Sequence, residues 1–211
     1  SAETSASMDP SNTSFGESGF YQFAILNGGY SGKVTASQLD AFIATYGSDG
    51  MLAGHGQDFV DAAKKYNVNE VYLLAHAILE SGWGKSALAR GTTIDGVTYY
   101  NFYGIGAYDS DALGGGSRTA GRYGWDSPRA TIFGAAKWIS ENYLSNAYNQ
   151  NTLYKMRWNY NQAAREGSVW KQYATGREWA TSIARVMSNC YDYCGYNMET
   201  CGLTFLVPQY S

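Results

Sequence analysis

The chain has 211 residues, 16% of them charged and 45% hydrophobic, a balance that excludes a disordered polymer and fits one packed domain spanning 1–211. A formal charge of −3, with Lys and Arg scattered, gives no field to collect polyphosphate, so nucleic acid is not expected as a partner. No apolar run reaches the roughly 18 residues of a membrane span, and "SAETSASMDPSNTSF" at the start has neither a basic nor an apolar leader region, so no membrane insertion is expected and the chain reads as soluble. Residues 1–17 are polar and small, and read as a surface tail or strap. "TASQLDAFIATY" carries a capping-box pattern, Thr35 to Gln38, ahead of Leu39, Phe42 and Ile43, which predicts a short helix. "GQDFVDAAKKY" is a second. Asn69 then precedes "EVYLLAHAILESGWG", whose apolar stretch is too long for a typical strand and stops at Gly82, so a helix buried on most sides is expected.

Further along, Asp95-Gly96 between β-prone residues is a hairpin signal, and the glycine-rich "SDALGGGSRTAGRYGW" reads as a surface loop. Ser127-Pro128 starts a helix that keeps Ile132, Ala135, Ala136, Ile139 and Tyr143 on one face, with Asp126 as its cap. A last helix is expected to begin at Thr175, with Glu178 completing a capping box, and to run to about Asn189. "LTFLVPQY" closes the chain as an edge strand. The fold class that follows is α+β, mainly helical, with a small hairpin element. Cys190, Cys194 and Cys201 all fall near the end and lack the spacing of a zinc site. No metal is therefore expected, and structural thiols or one local disulfide are the alternatives. Cys190 continues the apolar spacing of Trp179, Ile183 and Met187 and should face the core.

The unusual residue is Glu80, one acid inside "AHAILESGWGKSALA". It is flanked by Ile78, Leu79 and Trp83 and ends its helix, and both desolvation and the helix dipole there should raise its pKa. A carboxyl kept protonated near neutrality can protonate a glycosidic oxygen, which otherwise leaves poorly as an alkoxide. From spacing alone, a Glu that merely emerges from its helix is an equal reading. His76 lies one turn earlier on the same face, and the plainer account of it is a hydrogen-bonded core histidine. No G-x-S-x-G elbow, H-E-x-x-H, phosphate loop or dinucleotide turn occurs, so no cofactor is expected.

"AHAILESGWGKSALA", then "YNFYGIGAYD", "YGWDSPRATIFGAAKWISENYL", "QNTLYKMRW" and "QYATG", resemble the glycoside hydrolase family 73 glucosaminidases, and within them the glucosaminidase domain of large Gram-positive autolysins. The resemblance runs from about Phe20 to Pro208. It implies a lysozyme-like fold with a hairpin beside a substrate cleft, and cleavage of the β-1,4 bond after N-acetylglucosamine in peptidoglycan. Glu80, in the E-S/T-G-x-G block, would be the general acid. The N-x-Y/F-G-I block maps to Asn101, Tyr103, Gly104 and Ile105. Of these, Asn101 and Tyr103 are expected to bind sugar through amide and ring, while Phe102 and Ile105 pack the core. Tyr108 borders the cleft. The family's Y-A-T-D block maps to Tyr173, Ala174 and Thr175, with Tyr173 in the active site and Gly176 where Asp is usual; Thr175 is expected to cap the last helix in that Asp's stead.

A second carboxylate is not matched: Asp109 and Asp111 are the nearby acids, and a substrate acetamido group acting as internal nucleophile is the alternative. The implied partner is the peptidoglycan glycan strand and the implied location is secreted and wall-associated, with the chain acting as a monomer and wall targeting left to other segments. The rival readings are a muramidase or lytic transglycosylase of the same build, or a glycan-binding module that cuts nothing.

Overall fold

The computed structural model describes residues 6, 8–107, 110–160 and 171–209. Helix α1 (Ala36–Gly47) starts at Thr35, whose hydroxyl accepts the Gln38 N–H while Gln38 reaches back to the Thr35 N–H. That is the reciprocal pair predicted from sequence. Helix α2 (Gly56–Tyr66) ends on Asn67, at φ 57°, one of the few side chains that tolerates the left-handed region.

Helix α3 (Glu70–Ser81) is the spine. Asn69 caps it by accepting the Tyr72 N–H, and Gly82, at φ 55°, stops it. Every residue from Glu70 to Ile78 is buried, so packing rather than propensity holds it. The turn that follows places Glu80. Ser81 Oγ accepts the Gly84 N–H, and Gly84 sits at φ 80° with no room for a Cβ, which would lie 2.6 Å from the Met51 nitrogen. Ser81 and the two glycines of the E-S-G-W-G block thus shape the bend, leaving Glu80 on the last turn facing out of the core.

A short helix, α4 (Ala87–Arg90), leads into strands β1 (Thr92–Ile94) and β2 (Val97–Tyr99), an antiparallel hairpin in which Thr93 pairs with Thr98. Asp95 and Gly96 turn it with φ of 50° and 80°, as the Asp-Gly signal predicts. The glycine-rich segment after it is not a loop. It forms helix α5 (Ala112–Tyr123), capped by Asp111, which accepts the Gly114 N–H, and stopped by Gly124. Two of its neighbours explain the glycines. A Cβ on Gly116 would meet Leu88 of α4 at 2.6 Å, and one on Gly106, in the preceding turn, would meet the Thr119 hydroxyl of α5 at 1.9 Å. Close approach selects glycine at 116, and at 106 close approach and a φ of 77° act together.

Helix α6 (Pro128–Ile139) begins at Ser127, whose hydroxyl accepts the Ala130 N–H. Asp126 is therefore not the cap expected of it. A π-helical turn, Ser140–Leu144, continues α6, and helix α7 (Leu153–Trp158) follows. The last helix, α8, spans Trp179–Tyr193, starting and ending about four residues later than expected. Thr175 does not cap it. Instead the Thr175 and Gly176 carbonyls accept N–H groups of Arg157, which holds this non-helical stretch beside α7. Trp179, Ile183, Met187 and Cys190 all face inward as their spacing requires. Helix α8 lies on α3 and on the 3-10 turn Ser18–Phe23, and the closing segment makes one bridge, Ala24 with Phe205, rather than a strand. Among the described residues no helix is long and apolar enough to cross a membrane.

Candidate active site

A cavity of about 420 Å³ opens at the end of α3, lined by Glu80, Tyr103, Gly104, Tyr173, Thr175 and Trp179 among others. Its walls come from three places in the chain: the last turn of α3, the 103–107 turn after the hairpin, and the 172–176 segment that leads into α8. Glu80 is about a quarter exposed, and each of its oxygens has a defined neighbour. Oε1 accepts the Trp179 indole N–H at 2.8 Å, and Oε2 lies against Gly104. Gly104 sits at φ 65°, and a Cβ there would come within 3.2 Å of Oε2, so both the backbone angle and the approach to the carboxyl call for glycine.

His76 completes the arrangement from behind. It is fully buried, its Nδ1 is 2.9 Å from the Tyr72 hydroxyl, and its Nε2 is 3.7 Å from Glu80 Oε1 with no hydrogen-bond partner. The rings of Tyr103, Tyr173 and Trp179 meet its imidazole edge to face, fixing its plane. When the Tyr72 hydroxyl donates to Nδ1, the ring proton sits on Nε2 and is aimed across the gap at the carboxyl. The plain account of His76 as a hydrogen-bonded core histidine is thus half of the matter, since its other nitrogen looks into the site.

These neighbours reverse the expected titration of Glu80. Burial pushes its carboxyl up, but His76 and the Trp179 N–H pull the other way and together hold it below the ordinary carboxylate value. The expectation of a raised value counted desolvation and the helix end and had no view of two donors converging on one oxygen. Trp179 lies 99 residues away in sequence and reads there only as an apolar helix position.

The remaining predicted residues divide. Tyr173 is half-buried on the cavity wall, stacked on Trp179 at 5.0 Å, with its hydroxyl donating to the Tyr103 carbonyl. Burial, then the nearby Tyr72 and Glu80, push its phenol well above the usual value, so it is neutral at working pH. Asn101 is 1% exposed and faces inward. Its amide donates to the Ile105 and Gly116 carbonyls and its oxygen accepts the Tyr103 N–H, so the expectation that it meets sugar is corrected. Tyr103 lies under the cavity floor, fully buried, with its hydroxyl donating to the Leu73 carbonyl and its ring against His76, so the expectation that its ring meets sugar is corrected as well. Phe102 and Ile105 are core residues, as expected. Tyr108 and Asp109 lie outside the described residues. Asp111 is occupied as the cap of α5 and as the partner of Arg118 at 2.9 Å. Among the described residues no cluster of His, Cys, Asp or Glu could hold a metal.

A mainly helical body with one hairpin beside the cleft, and a carboxyl set between aromatic walls, give the chain a lysozyme-like build. Residues 56–192 match the family model Glucosaminidase, described as mannosyl-glycoprotein endo-beta-N-acetylglucosaminidase, and the chain belongs to this family. A beta-N-acetylglucosaminidase of Bacillus subtilis (strain 168) is 40% identical over 205 residues, 96% of this chain and 22% of that relative. The chain therefore spans about a fifth of that protein's length. Two solved structures of S. aureus Autolysin E, each 32% identical, cover 99% of the chain. One is a complex with the muropeptide NAM-L-Ala-D-iGlu (TM-score 0.76, 82% of that chain covered). The other is a catalytic glutamate-to-alanine mutant with the disaccharide NAG-NAM (TM-score 0.75, 83% of that chain covered).

Proposed function

We propose that the chain is a peptidoglycan hydrolase that cleaves the β-1,4 bond between N-acetylglucosamine and N-acetylmuramic acid, with Glu80 as general acid, acting on the cell wall outside the membrane. The observation that carries this is the position of the Glu80 carboxyl, at the mouth of a cavity large enough for sugar units and fixed on one oxygen by Trp179. The relatives' names and ligands, a glucosaminidase and an autolysin bound to NAG-NAM, support the same bond.

The chemistry runs as follows. Without substrate the two donors favour the carboxylate. A sugar seated against the wall formed by Tyr173 and Trp179 expels water from the cavity, and the loss of solvation raises the carboxyl until it takes up a proton from solvent. It passes that proton to the leaving oxygen as the glycosidic bond breaks and water becomes bonded to the anomeric carbon. Oε1 is committed to Trp179, so Oε2, on the Gly104 side, is the oxygen left to face substrate. Gln172 and Thr175 line the same wall and supply polar contacts for hydroxyl and acetamido groups.

Glu80→Gln keeps the shape and removes the titratable proton, so clearing of purified walls should fall by about 10²- to 10⁴-fold with folding intact. Unchanged clearing would remove the proposal. Mass spectrometry of the products should find reducing N-acetylglucosamine. Reducing muramic acid would move the reading to a muramidase, and a 1,6-anhydro end to a lytic transglycosylase.

A further inference from the structure

Beside the Glu80 cavity lies a second one of about 380 Å³, lined by Ile105, Gly106, Arg118, Arg122, Tyr123 and Trp138 among others. The two share a wall. Gly104 faces Glu80, while Ile105 and Gly106, the next two residues, face the second cavity, so the Cα atoms that bound each side are separated by at most about 7.6 Å. On the far side, the Trp138 ring of the second cavity meets the Tyr173 ring of the first edge to face at 6.1 Å.

The charge of the second cavity is out of keeping with the rest of the molecule. The chain as a whole is at −3, yet α5 presents Arg118 and Arg122 one helical turn apart to the same space. Like charges at that spacing disfavour the helix, so placing two here costs the fold a little. One acid answers them. Arg118 gives one nitrogen, Nη2, to Asp111 and keeps its other donors, while Arg122 lies over the Tyr123 ring and makes no ion pair among the described residues. A planar fork with free N–H donors beside an indole suits a carboxylate on a short peptide better than a neutral sugar hydroxyl.

We propose that this cavity is a subsite for the stem peptide of a muramic acid residue, with Arg122 and Arg118 holding its free carboxylate while the glycan occupies the Glu80 cavity. The inference rests on the glycan reading of that cavity. In a stem that begins L-Ala-D-iGlu, the chain continues through the γ-carboxyl, leaving an α-carboxylate two residues from the sugar. Two extended residues reach about 7 Å, enough to pass from the Gly104 side of this turn to the Gly106 side. The substrate preferred by this chain is therefore a strand whose stems are present and not amidated at that carboxyl.

Binding to the Glu80→Gln protein tests this without turnover, using three probes: a disaccharide with L-Ala-D-iGlu, the same with the α-carboxyl amidated, and the bare disaccharide. The free acid should bind about tenfold more tightly than the amide, and Arg122→Gln or the Arg118→Gln/Arg122→Gln pair should erase that difference. Both arginines are exposed, so the variants fold, which circular dichroism checks. Equal binding of acid and amide overturns the proposal, as does a preference that survives the double substitution. A glycerol-phosphate oligomer that displaces the acid at equal or lower concentration also overturns it, since the arginines then serve wall polymer. Release of reducing muramic acid by the unsubstituted protein would sink the bond assignment instead, and would leave the acid-over-amide preference standing.

Discussion

His76 and Trp179 act on one oxygen of Glu80, and both work against the protonation that catalysis needs. Both favour the charged carboxylate, and a general acid must be protonated. The sign follows directly. With its carboxyl held below the ordinary value, the protonated fraction falls as pH rises through this lowered pKa, so kcat/KM should decline on the alkaline side. Trp179→Phe keeps a ring against Tyr173 and removes the N–H donor. The carboxyl then rises, and the alkaline limb of the profile should move to higher pH while kcat drops by about tenfold from lost orientation. His76→Gln, which removes the imidazole aimed at the same oxygen, should shift the limb the same way. A limb that stays in place in both variants, measured on soluble glycan between pH 4 and 9, would show that neither residue governs the proton on Glu80.

At the scale of elements, the cleft depends on α5 being packed against the turn that carries Gly104. Asn101 is the fastening: three buried hydrogen bonds join the Ile105 carbonyl, the Tyr103 N–H and the Gly116 carbonyl of α5. Asn101→Ala leaves those groups buried and unpaired, so it should cost about 2–4 kcal/mol of stability and lower kcat/KM at least tenfold. Thermal unfolding together with rates read well below the transition checks it, and a loss of activity without loss of stability would return Asn101 to the sugar. The sequence displays α3 plainly, since Asn69, Gly82 and a long apolar run each state a local preference. It hides α5, because Gly116, which reads locally as loop, serves there as the contact point for Leu88, and Thr119 of the same helix packs on Gly106 of the preceding turn, neighbours that only the tertiary structure brings near. The start of α8 is hidden likewise: Arg157 takes the Thr175 and Gly176 carbonyls that a helix there would have used. Of the site, Glu80 and Tyr173 are legible from their motif blocks. Trp179 is not, because its role is one hydrogen bond across the fold.

For the whole molecule, the two ends of the described chain close over the same core. The described residues before the 3-10 turn at Ser18 form a strap. Pro10 is buried, the Tyr154 hydroxyl donates to the Met8 carbonyl at 2.6 Å, and the Phe15 ring meets Phe20 at 5.4 Å and Phe205 at 5.9 Å. The closing segment is tied to the same region, with Leu206 N–H donating to the Phe23 carbonyl and Ile25 N–H to that of Thr204. None of these residues lines the Glu80 cavity, so strap and catalysis are separable. Removing residues 1–17 uncovers Phe20 and Phe205 and strips the cap from Tyr154. Losing that cover costs about 2 kcal/mol, the order of one large apolar side chain returned to water. In a chain of this size that is about 4–8 °C in Tm. The shortened chain should therefore melt earlier by that margin and digest walls at 20 °C at an undiminished rate. An unchanged Tm would make the strap an ornament of the surface, and a lost rate at 20 °C would mean that it supports the cleft as well as the core.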